Sequence, residues 1–367
     1  MESSSIASYK KWVSLIAVSG FGFFAVYSYF FGGLIDAGSL IVSTNLFFYG
    51  LVFIFVLASV VLNSIVWHLL LSNLSVEVSF RKVFGLGWVG IFLDAIVPGG
   101  WFGDISKVYL LSKEPGVDGG KTAASVVLKN VLDVVVNIGV SILGLVLLVW
   151  NYTVEGTVLI AIGAAMLVMV LPLTLVIYLG VNVKATKKVL TVAKRVSSYL
   201  QRKNISKQNL DVKMEEMAQQ FHDGIAMMKT RPKALVLPTL FSILAWICDT
   251  LAVLLVFASV HSVIAADKVI ITNTIVGNLQ SQGFAFAGFA SIASSATYAV
   301  LGISQTLSTA STLLGEIAAF WFKVSIAFFA FECAILDRCL PCLIRQCRRG
   351  KNKSCNLEAH EDIKLKA

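Results

Sequence analysis

The sequence has 367 residues, of which 57% are hydrophobic and only 14% charged, and its formal net charge is +9. Soluble domains carry roughly 25% charged residues, so this composition excludes an ordinary soluble protein and indicates a chain with several membrane spans. The positive charge does not call for a nucleic-acid partner. Its Lys and Arg lie mainly between the apolar runs and in the tail, where membrane proteins carry them.

Six apolar runs are long enough to cross a bilayer, which takes about 20 residues. They are Trp12–Phe31, Leu46–Leu71, Thr122–Trp150, Thr157–Gly180, Ala234–Val260 and Ser308–Leu336. Two other runs are short or interrupted: Val83–Val97 contains Asp94 and stops at Pro98, and Val269–Leu301 is broken at Gln280–Gly283. Broken backbone at membrane depth is tolerated only inside protein or beside a wet cavity. We therefore interpret both runs as re-entrant helical hairpins.

Lys and Arg predict how the chain is oriented. The links at 32–45 and 151–156 contain none, whereas the segment 181–233 contains twelve and the tail at 337–367 contains eight. Because cytoplasmic loops carry the excess of Lys and Arg, we expect both termini on the cytoplasmic side of a multi-pass protein of the cell membrane. The predicted fold class is all-α, with six transmembrane helices and two re-entrant hairpins that face opposite ways.

An internal repeat is consistent with this topology. A shift of 186 positions aligns GVDGGKTAASVVL at Gly116–Leu128 with GISQTLSTASTLL at Gly302–Leu314. The alternative is a chance similarity between apolar helices. An inverted repeat is typical of secondary transporters. The predicted organisation is a membrane domain at 1–336, with repeats at 1–150 and 151–336 and an amphipathic cytoplasmic loop at 181–233, followed by a basic, Cys-containing tail at 337–367.

The first hairpin carries the strongest sign of a binding site. A Gly-rich break leads into a short helix, which we expect Asp104 to cap. Free N–H groups at such a helix start can hold a phosphate, and Lys107 and Lys129 can supply positive charge. The alternative is a structural cap and a lysine that reaches the membrane surface. Lys129 and Asp133 are four residues apart, so we expect them to pair.

Ionisable residues within apolar segments are costly and mark functional positions. Asp249 lies in the middle of the fifth predicted span, so it should face the protein interior and have a partner. The candidate lipid-binding residues are Pro98, Gly99, Gly100, Gly103, Asp104, Lys107, Lys129, Asp133, Asp249, Glu316 and Lys323.

No pattern predicts an enzyme or a cofactor. The sequence lacks a Walker motif, HExxH and GxSxG, and we assign no catalytic residue, metal ligand or cofactor. The tail contains Cys339, Cys342, Cys347 and Cys355, which are too loosely spaced to indicate a zinc site. Metal binding and lipidation are the alternatives to unmodified thiols there.

The stretch Pro98–Asp133 resembles the flippase-like transmembrane region of the lysylphosphatidylglycerol synthase family, and WICD at Trp246–Asp249 is similar to that family's W-x-x-E element. The matching positions are Pro98, Gly103, Asp104, Asp133, Trp246 and Asp249. The differences are Lys107 in place of an Arg, Lys129-Asn130 in place of Glu-Arg, and GFASIA at Gly288–Ala293, which lacks the family's acid.

The resemblance implies a polytopic protein with re-entrant helices that binds or moves a lipid. The synthase or glycosyltransferase domain fused to some family members has no counterpart in these residues. Our leading interpretation is a flippase-like protein that binds or translocates a phosphate-bearing lipid or lipid-linked precursor. The alternatives are a secondary transporter of a small solute and a non-transporting accessory protein of lipid or glycan assembly. The expected partners are membrane lipids and a glycosyltransferase or another lipid-modifying enzyme.

Overall fold

The computed structural model describes residues 34–96, 102–152, 219–220, 223, 226, 230–281 and 289–331. The predicted spans at 12–31 and 157–180, the tail, and nearly all of the long loop lie outside these residues. In the described part, the regular elements are all helical. They are α1 (Leu34–Val42), α2 (Leu46–Asn73), α3 (Phe80–Ile96), α4 (Phe102–Leu111), α5 (Gly119–Asn151), a 3₁₀ turn (Pro232–Leu235), α6 (Val236–Ser259), α7 (Ala266–Ser281), α8 (Phe289–Val300) and α9 (Gln305–Glu316).

Four helices in the described part are long and apolar enough to cross a membrane. They are Leu46–Asn73, Gly119–Asn151, Pro232–Ser259 and Gln305–Phe331. The last of these is α9 extended through a π-helical turn at Ile317–Trp321. Each coincides, within a few residues at its described ends, with a span predicted from the apolar runs. The chain is therefore a multi-pass, all-helical membrane protein.

Local chemistry explains where these helices begin and end. Asn45 precedes α2, and its side-chain oxygen accepts a hydrogen bond from the backbone N–H of Phe47 at 3.0 Å, as an N-cap does. Proline suits a first helical position because it has no N–H to leave unpaired, and Pro232 starts the 3₁₀ turn before α6. At the end of α2, the backbone N–H of Val76 donates to Leu71 O at 2.9 Å, which closes a Schellman motif.

Two pairs of shorter helices form antiparallel hairpins. In the first, Asp94 near the end of α3 accepts a hydrogen bond from the backbone N–H of Gly103 in α4 at 2.7 Å. At its open end, Lys82 of α3 pairs with Glu114, just after α4. In the second, Val269 of α7 packs with Tyr298 of α8. In each pair the second helix therefore runs back along the first.

Helices α2 and α6 form the centre of the bundle and run antiparallel. At one end, the N–H of Asn45 donates to Ser259 O at 2.7 Å. At the other end, the Asn73 amide donates to Ala234 O at 2.9 Å. The side chains between these ends are mostly small or β-branched, and Val52, Val56 and Ala252 are at most 4% exposed. Close helix packing in membranes depends on such complementary surfaces because lipid supplies no hydrophobic drive between helices.

Each hairpin also contacts a long helix from the other half of the chain. Helix α7 packs against α5, where Thr274 leaves no room for a Cβ on Gly144. Past the end of α5, the Tyr152 hydroxyl donates to Asp267 at 3.4 Å, and burial together with the nearby Asp267 charge raises the pKa of Tyr152. In the same way, α3 packs against the Gln305–Phe331 helix, with Trp88 beside Ala327.

Equivalent features recur 186 positions apart. The first residues of the long helices, Leu46 and Pro232, are separated by this number. So are the first residues of α3 and α7 and of α5 and α9. The described residues with positive φ form two pairs at the same spacing: Ser75 at 56° with His261 at 58°, and Gly116 with Gly302, both at 79°. Because L side chains disfavour positive φ, matching angles at matched positions indicate matching backbone turns.

Candidate functional site

A cavity of about 250 Å³ lies between the helices, and charged side chains from several of them line it. It is lined by Ser59, Val60, Asn63, Ser64, Trp67, Gly87, Ile91, Asp104, Lys107, Val126, Lys129, Asp249 and Lys323. These residues come from α2, α3, α4, α5, α6 and the helix that extends α9. Both halves of the chain therefore contribute to its wall.

The structure places the sequence-predicted residues differently. The cavity brings together Asp104, Lys107, Lys129, Asp249 and Lys323. Outside the cavity wall, Asp133 pairs with Lys129, the N–H of Gly103 donates to Asp94, and Glu316 accepts a hydrogen bond from Ser291 of α8. Pro98, Gly99 and Gly100 lie outside the described residues.

Asp104 does not cap α4 as expected. The helix begins earlier, at Phe102, and Asp104 lies in its first turn. Its carboxylate instead accepts hydrogen bonds from Lys107 at 2.9 Å and from the Asn130 side chain of α5 at 2.7 Å. These two side-chain donors satisfy the part-buried carboxylate better than backbone N–H groups alone would. The aspartate thus fixes α4 against α5 and holds Lys107 in place.

The first hairpin closes tightly around this network. A Cβ on Gly103 would collide with the Asp94 carboxylate and with Gly90 O, and a Cβ on Gly90 would collide with the Lys107 side chain. Because neither residue has a side chain, the backbones of α3 and α4 approach each other closely. The aliphatic part of the Lys107 side chain lies directly against Gly90. Its ammonium group lies 5.9 Å from the centre of the Trp67 ring, within range of a cation–π contact.

Lys129 and Asp133 pair on the face of α5, as predicted from their spacing. The lysine side chain is 18% exposed, and Asp133 is the more open partner at 37%. Asp133 itself does not line the cavity, whereas Lys129 does. The pair therefore uses one donor of the Lys129 ammonium group and leaves the others for a ligand. An ammonium group has three donors, so one carboxylate does not exhaust it.

Asp249 of α6 has two partners, in agreement with the expectation for a carboxylate within a span. The Ser59 hydroxyl of α2 lies close to its carboxyl group, and Lys323 attracts it electrostatically. Among the ion pairs found in the described residues, none includes Lys323. Lys323 is therefore the cavity lysine that no carboxylate contacts directly within 4.0 Å in this part of the chain.

The residues that α2 contributes to the cavity wall were not predicted from the sequence. Ser59, Asn63 and Ser64 are polar residues within an otherwise apolar span, and Trp67 lies one turn after Asn63. Residues four apart share a helix face, so Ser59, Asn63 and Trp67 form one stripe. This stripe of polar residues in an apolar helix is the sequence feature that predicts a cavity wall here.

The helices and cavity define a class of protein: an integral membrane protein with several spans and a charged, partly enclosed site among its helices. One family of membrane proteins matches the sequence. A family profile described as "Lysylphosphatidylglycerol synthase TM region" matches residues 12–327. This match covers most of the chain, and the protein belongs to that family.

Its similarity to individual proteins is distant but extends over most of their length. A UPF0104 membrane protein of Pyrococcus horikoshii is 23% identical over 270 residues, which cover 72% of this chain and 80% of that protein. A UPF0104 membrane protein of Methanocaldococcus jannaschii is 24% identical over 332 residues, covering 86% and 93%. A third, from Methanothermobacter thermautotrophicus, is 24% identical over 281 residues, covering 73% and 82%.

Proposed function

We propose that this protein binds a phosphate-bearing lipid headgroup in the cavity and acts as a flippase-like lipid carrier in the cell membrane. The observation that carries the proposal is the convergence of three lysines on one cavity within a membrane domain. Lys107 comes from the first hairpin, Lys129 from α5, and Lys323 from the helix that follows α9. Charged residues this deep in a membrane protein are rare and mark substrate pathways.

The chemistry of the wall favours an anion. Lys107 and Lys129 are held by Asp104 and Asp133, so both lysines are already in place before a ligand arrives. Lys323 adds a donor that no carboxylate contacts directly in the described part. Ser59, Asn63 and Ser64 add neutral polar groups. A phosphate accepts several charge-assisted hydrogen bonds at once, which suits such a set.

The proposed architecture is an inverted repeat with two re-entrant hairpins. The features 186 positions apart support equivalent halves, and the antiparallel run of α2 and α6 supports opposite orientation of those halves. In such transporters the site lies between the repeats, near the bilayer midplane. The cavity wall drawn from both halves is consistent with this arrangement.

A lipid-binding experiment tests the proposal. The full chain is reconstituted in nanodiscs and exposed to phosphatidic acid, phosphatidylglycerol, phosphatidylcholine and diacylglycerol, and bound lipid is identified by mass spectrometry. We expect enrichment of the anionic phospholipids over phosphatidylcholine and no enrichment of diacylglycerol. In proteoliposomes, fluorescent phosphatidylglycerol should cross the bilayer faster than in protein-free vesicles. Equal retention of diacylglycerol and phospholipids would contradict headgroup binding, and unchanged crossing would contradict translocation.

A further inference from the structure

Each hairpin is fastened to the long helix that follows it by a side-chain hydrogen bond at an equivalent position. In the first, Asn130 of α5 donates to Asp104 of α4 at 2.7 Å. In the second, Ser291 of α8 donates to Glu316 of α9 at 2.9 Å. Asn130 and Glu316 are 186 positions apart, and Ser291 is one position beyond the counterpart of Asp104. The acid belongs to the hairpin in the first contact and to the long helix in the second.

The two acids differ in their neighbours. Asp104 is paired with Lys107, whereas Glu316 takes part in none of the ion pairs found in the described residues. The α8 segment contains no charged residue, and α2 presents Tyr49, whose hydroxyl donates to Leu314 O rather than to the carboxylate. The other ionisable residues on the elements packed against α8 and α9 are Asp36 in α1, His68 in α2, Cys248 and Asp249 in α6, Asp267 and Lys268 in α7, and Tyr298 in α8 itself. Lys323 lies about two turns after Glu316 on the helix that extends α9.

Taking up a proton removes the charge of a carboxylate that has no cationic partner, and so removes the cost of burying that charge. Carboxylates within membrane spans are costly, and chains of them form the proton relays of pumps and transporters. A π-helical turn begins directly after Glu316, and such turns occur frequently at functional sites. Beside Glu316, the buried Oγ1 of Thr312 lacks a hydrogen-bond partner in this structure. Thr312 is one helical turn before Glu316, so it lies on the same face.

We propose that Glu316 is a proton-binding site and that protonation loosens the hold of the second hairpin on α9. The proton adds to a carboxylate oxygen, and the Ser291 hydroxyl keeps its own proton. Hydrogen bonds to an ionised acceptor are roughly twice as strong as those between neutral groups. The Ser291–Glu316 contact is therefore stronger when Glu316 is ionised. This makes the contact between the second hairpin and α9 dependent on pH.

Hydrogen–deuterium exchange tests this inference without reference to any lipid. The full chain in nanodiscs is measured between about pH 4 and 9, which brackets ordinary and deeply buried glutamates. Rates are corrected for intrinsic exchange. We expect α8 of the unmodified protein to exchange faster at low pH. Glu316→Gln should exchange at that fast rate at every pH, and Ser291→Ala should do the same through loss of the other partner.

Glu114→Gln is the matched control, because Glu114 pairs with Lys82 away from the second hairpin. It should leave the pH dependence of α8 unchanged. The inference is overturned if α8 of the unmodified protein exchanges independently of pH, or if its pH dependence persists in Glu316→Gln. Ser291→Ala decides the matter should Glu316→Gln fail to fold. Failure here leaves headgroup binding by the cavity lysines standing, because neither variant alters the cavity wall.

Discussion

Asn63 and Asp249 occupy positions 186 residues apart on the antiparallel helices α2 and α6, and both line the cavity. The amide and the carboxylate have nearly the same shape but differ in charge. Of the two, only Asp249 can ionise, and Lys323 attracts it electrostatically. One half of the chain therefore contributes an acid, and the other half a neutral amide, to the wall of a site that we propose for an anion.

Asp249→Asn removes this charge while keeping a side chain of the same shape that can bond to Ser59. We expect the variant to bind anionic phospholipid about threefold to tenfold more tightly, because Lys323 no longer has a competing carboxylate. The measurement is a titration of phosphatidylglycerol in nanodiscs. Asn63→Asp, which adds a carboxylate at the paired position, should weaken binding. Weaker binding by Asp249→Asn with an intact fold would show that the carboxylate itself takes part in recognition.

Asp104→Asn separates the two roles of that aspartate. Asparagine can still accept a hydrogen bond from Asn130, so α4 should stay on α5, but it no longer neutralises Lys107. We expect unchanged helical content, a lower unfolding temperature and tighter anion binding. Asp104→Leu loses both contacts and should lose ordered packing of the hairpin. An Asp104→Asn variant that binds anions as poorly as Lys107→Ala would contradict the expected tighter binding, because it would show that positioning of Lys107 by Asp104 outweighs the charge that Asp104 neutralises.

Gly144 tests the contact between α5 and α7. A methyl group there would collide with the side chain of Thr274, whereas Gly139, on the same helix, has open space at the equivalent point. Alanine is favoured over glycine in helices by up to about 1 kcal/mol, and overpacking costs about 1–3 kcal/mol. We therefore expect Gly139→Ala to raise or maintain the unfolding temperature and Gly144→Ala to lower it.

Thr274→Ala should restore stability to the Gly144→Ala variant, because it removes the atoms with which the new methyl group collides. Thermal unfolding in detergent, followed by tryptophan fluorescence, measures all three variants. Equal unfolding temperatures for Gly139→Ala and Gly144→Ala would show that the two helices do not approach as closely as described.

The proposed topology predicts which ends of the helices share a membrane face. Val42, Val263 and Val300 lie at one end of the bundle and are 85–95% exposed. Glu77 lies at the other. In a variant without native cysteines, single cysteines at the first three positions should react with a membrane-impermeant maleimide added to intact cells. A cysteine at Glu77 should react only after permeabilisation. Labelling of position 42 solely from the cytoplasmic side would contradict the orientation assigned from Lys and Arg.

Much of the fold followed from the sequence because membrane spans obey strong constraints. Long apolar runs predicted the four described long helices, and the Pro-Gly-Gly break predicted that one helix ends and another begins there, as α3 and α4 do on either side of it. The shift of 186 positions that aligned Gly116 with Gly302 also aligns their φ angles. Glycine is the residue that adopts such turns most readily, which makes the turns at Gly116 and Gly302 visible in the sequence.

The partners of the charged residues were harder to predict. The spacing of Lys129 and Asp133 identified a pair on one helix, but Asp104–Asn130 and Ser291–Glu316 join different helices. Such contacts depend on how each helix is rotated about its axis. A helix that is apolar on every face gives no sequence pattern from which this rotation can be predicted. Asp104 shows the consequence: its sequence context predicted a cap, whereas the approach of α5 supplied Asn130 as a better donor.

The most direct test of headgroup binding is to remove the lysines of the cavity and measure phosphatidylglycerol affinity in nanodiscs. A charge-assisted hydrogen bond contributes about 1.5–3 kcal/mol, so Lys107→Ala, Lys129→Ala and Lys323→Ala should each weaken binding about tenfold to a hundredfold. Lys82→Ala and Lys121→Ala, which remove lysines paired outside the cavity, should retain the affinity of the unmodified protein. Headgroup binding in this cavity is contradicted if the folded double variant Lys107→Ala/Lys129→Ala binds phosphatidylglycerol as tightly as the unmodified protein.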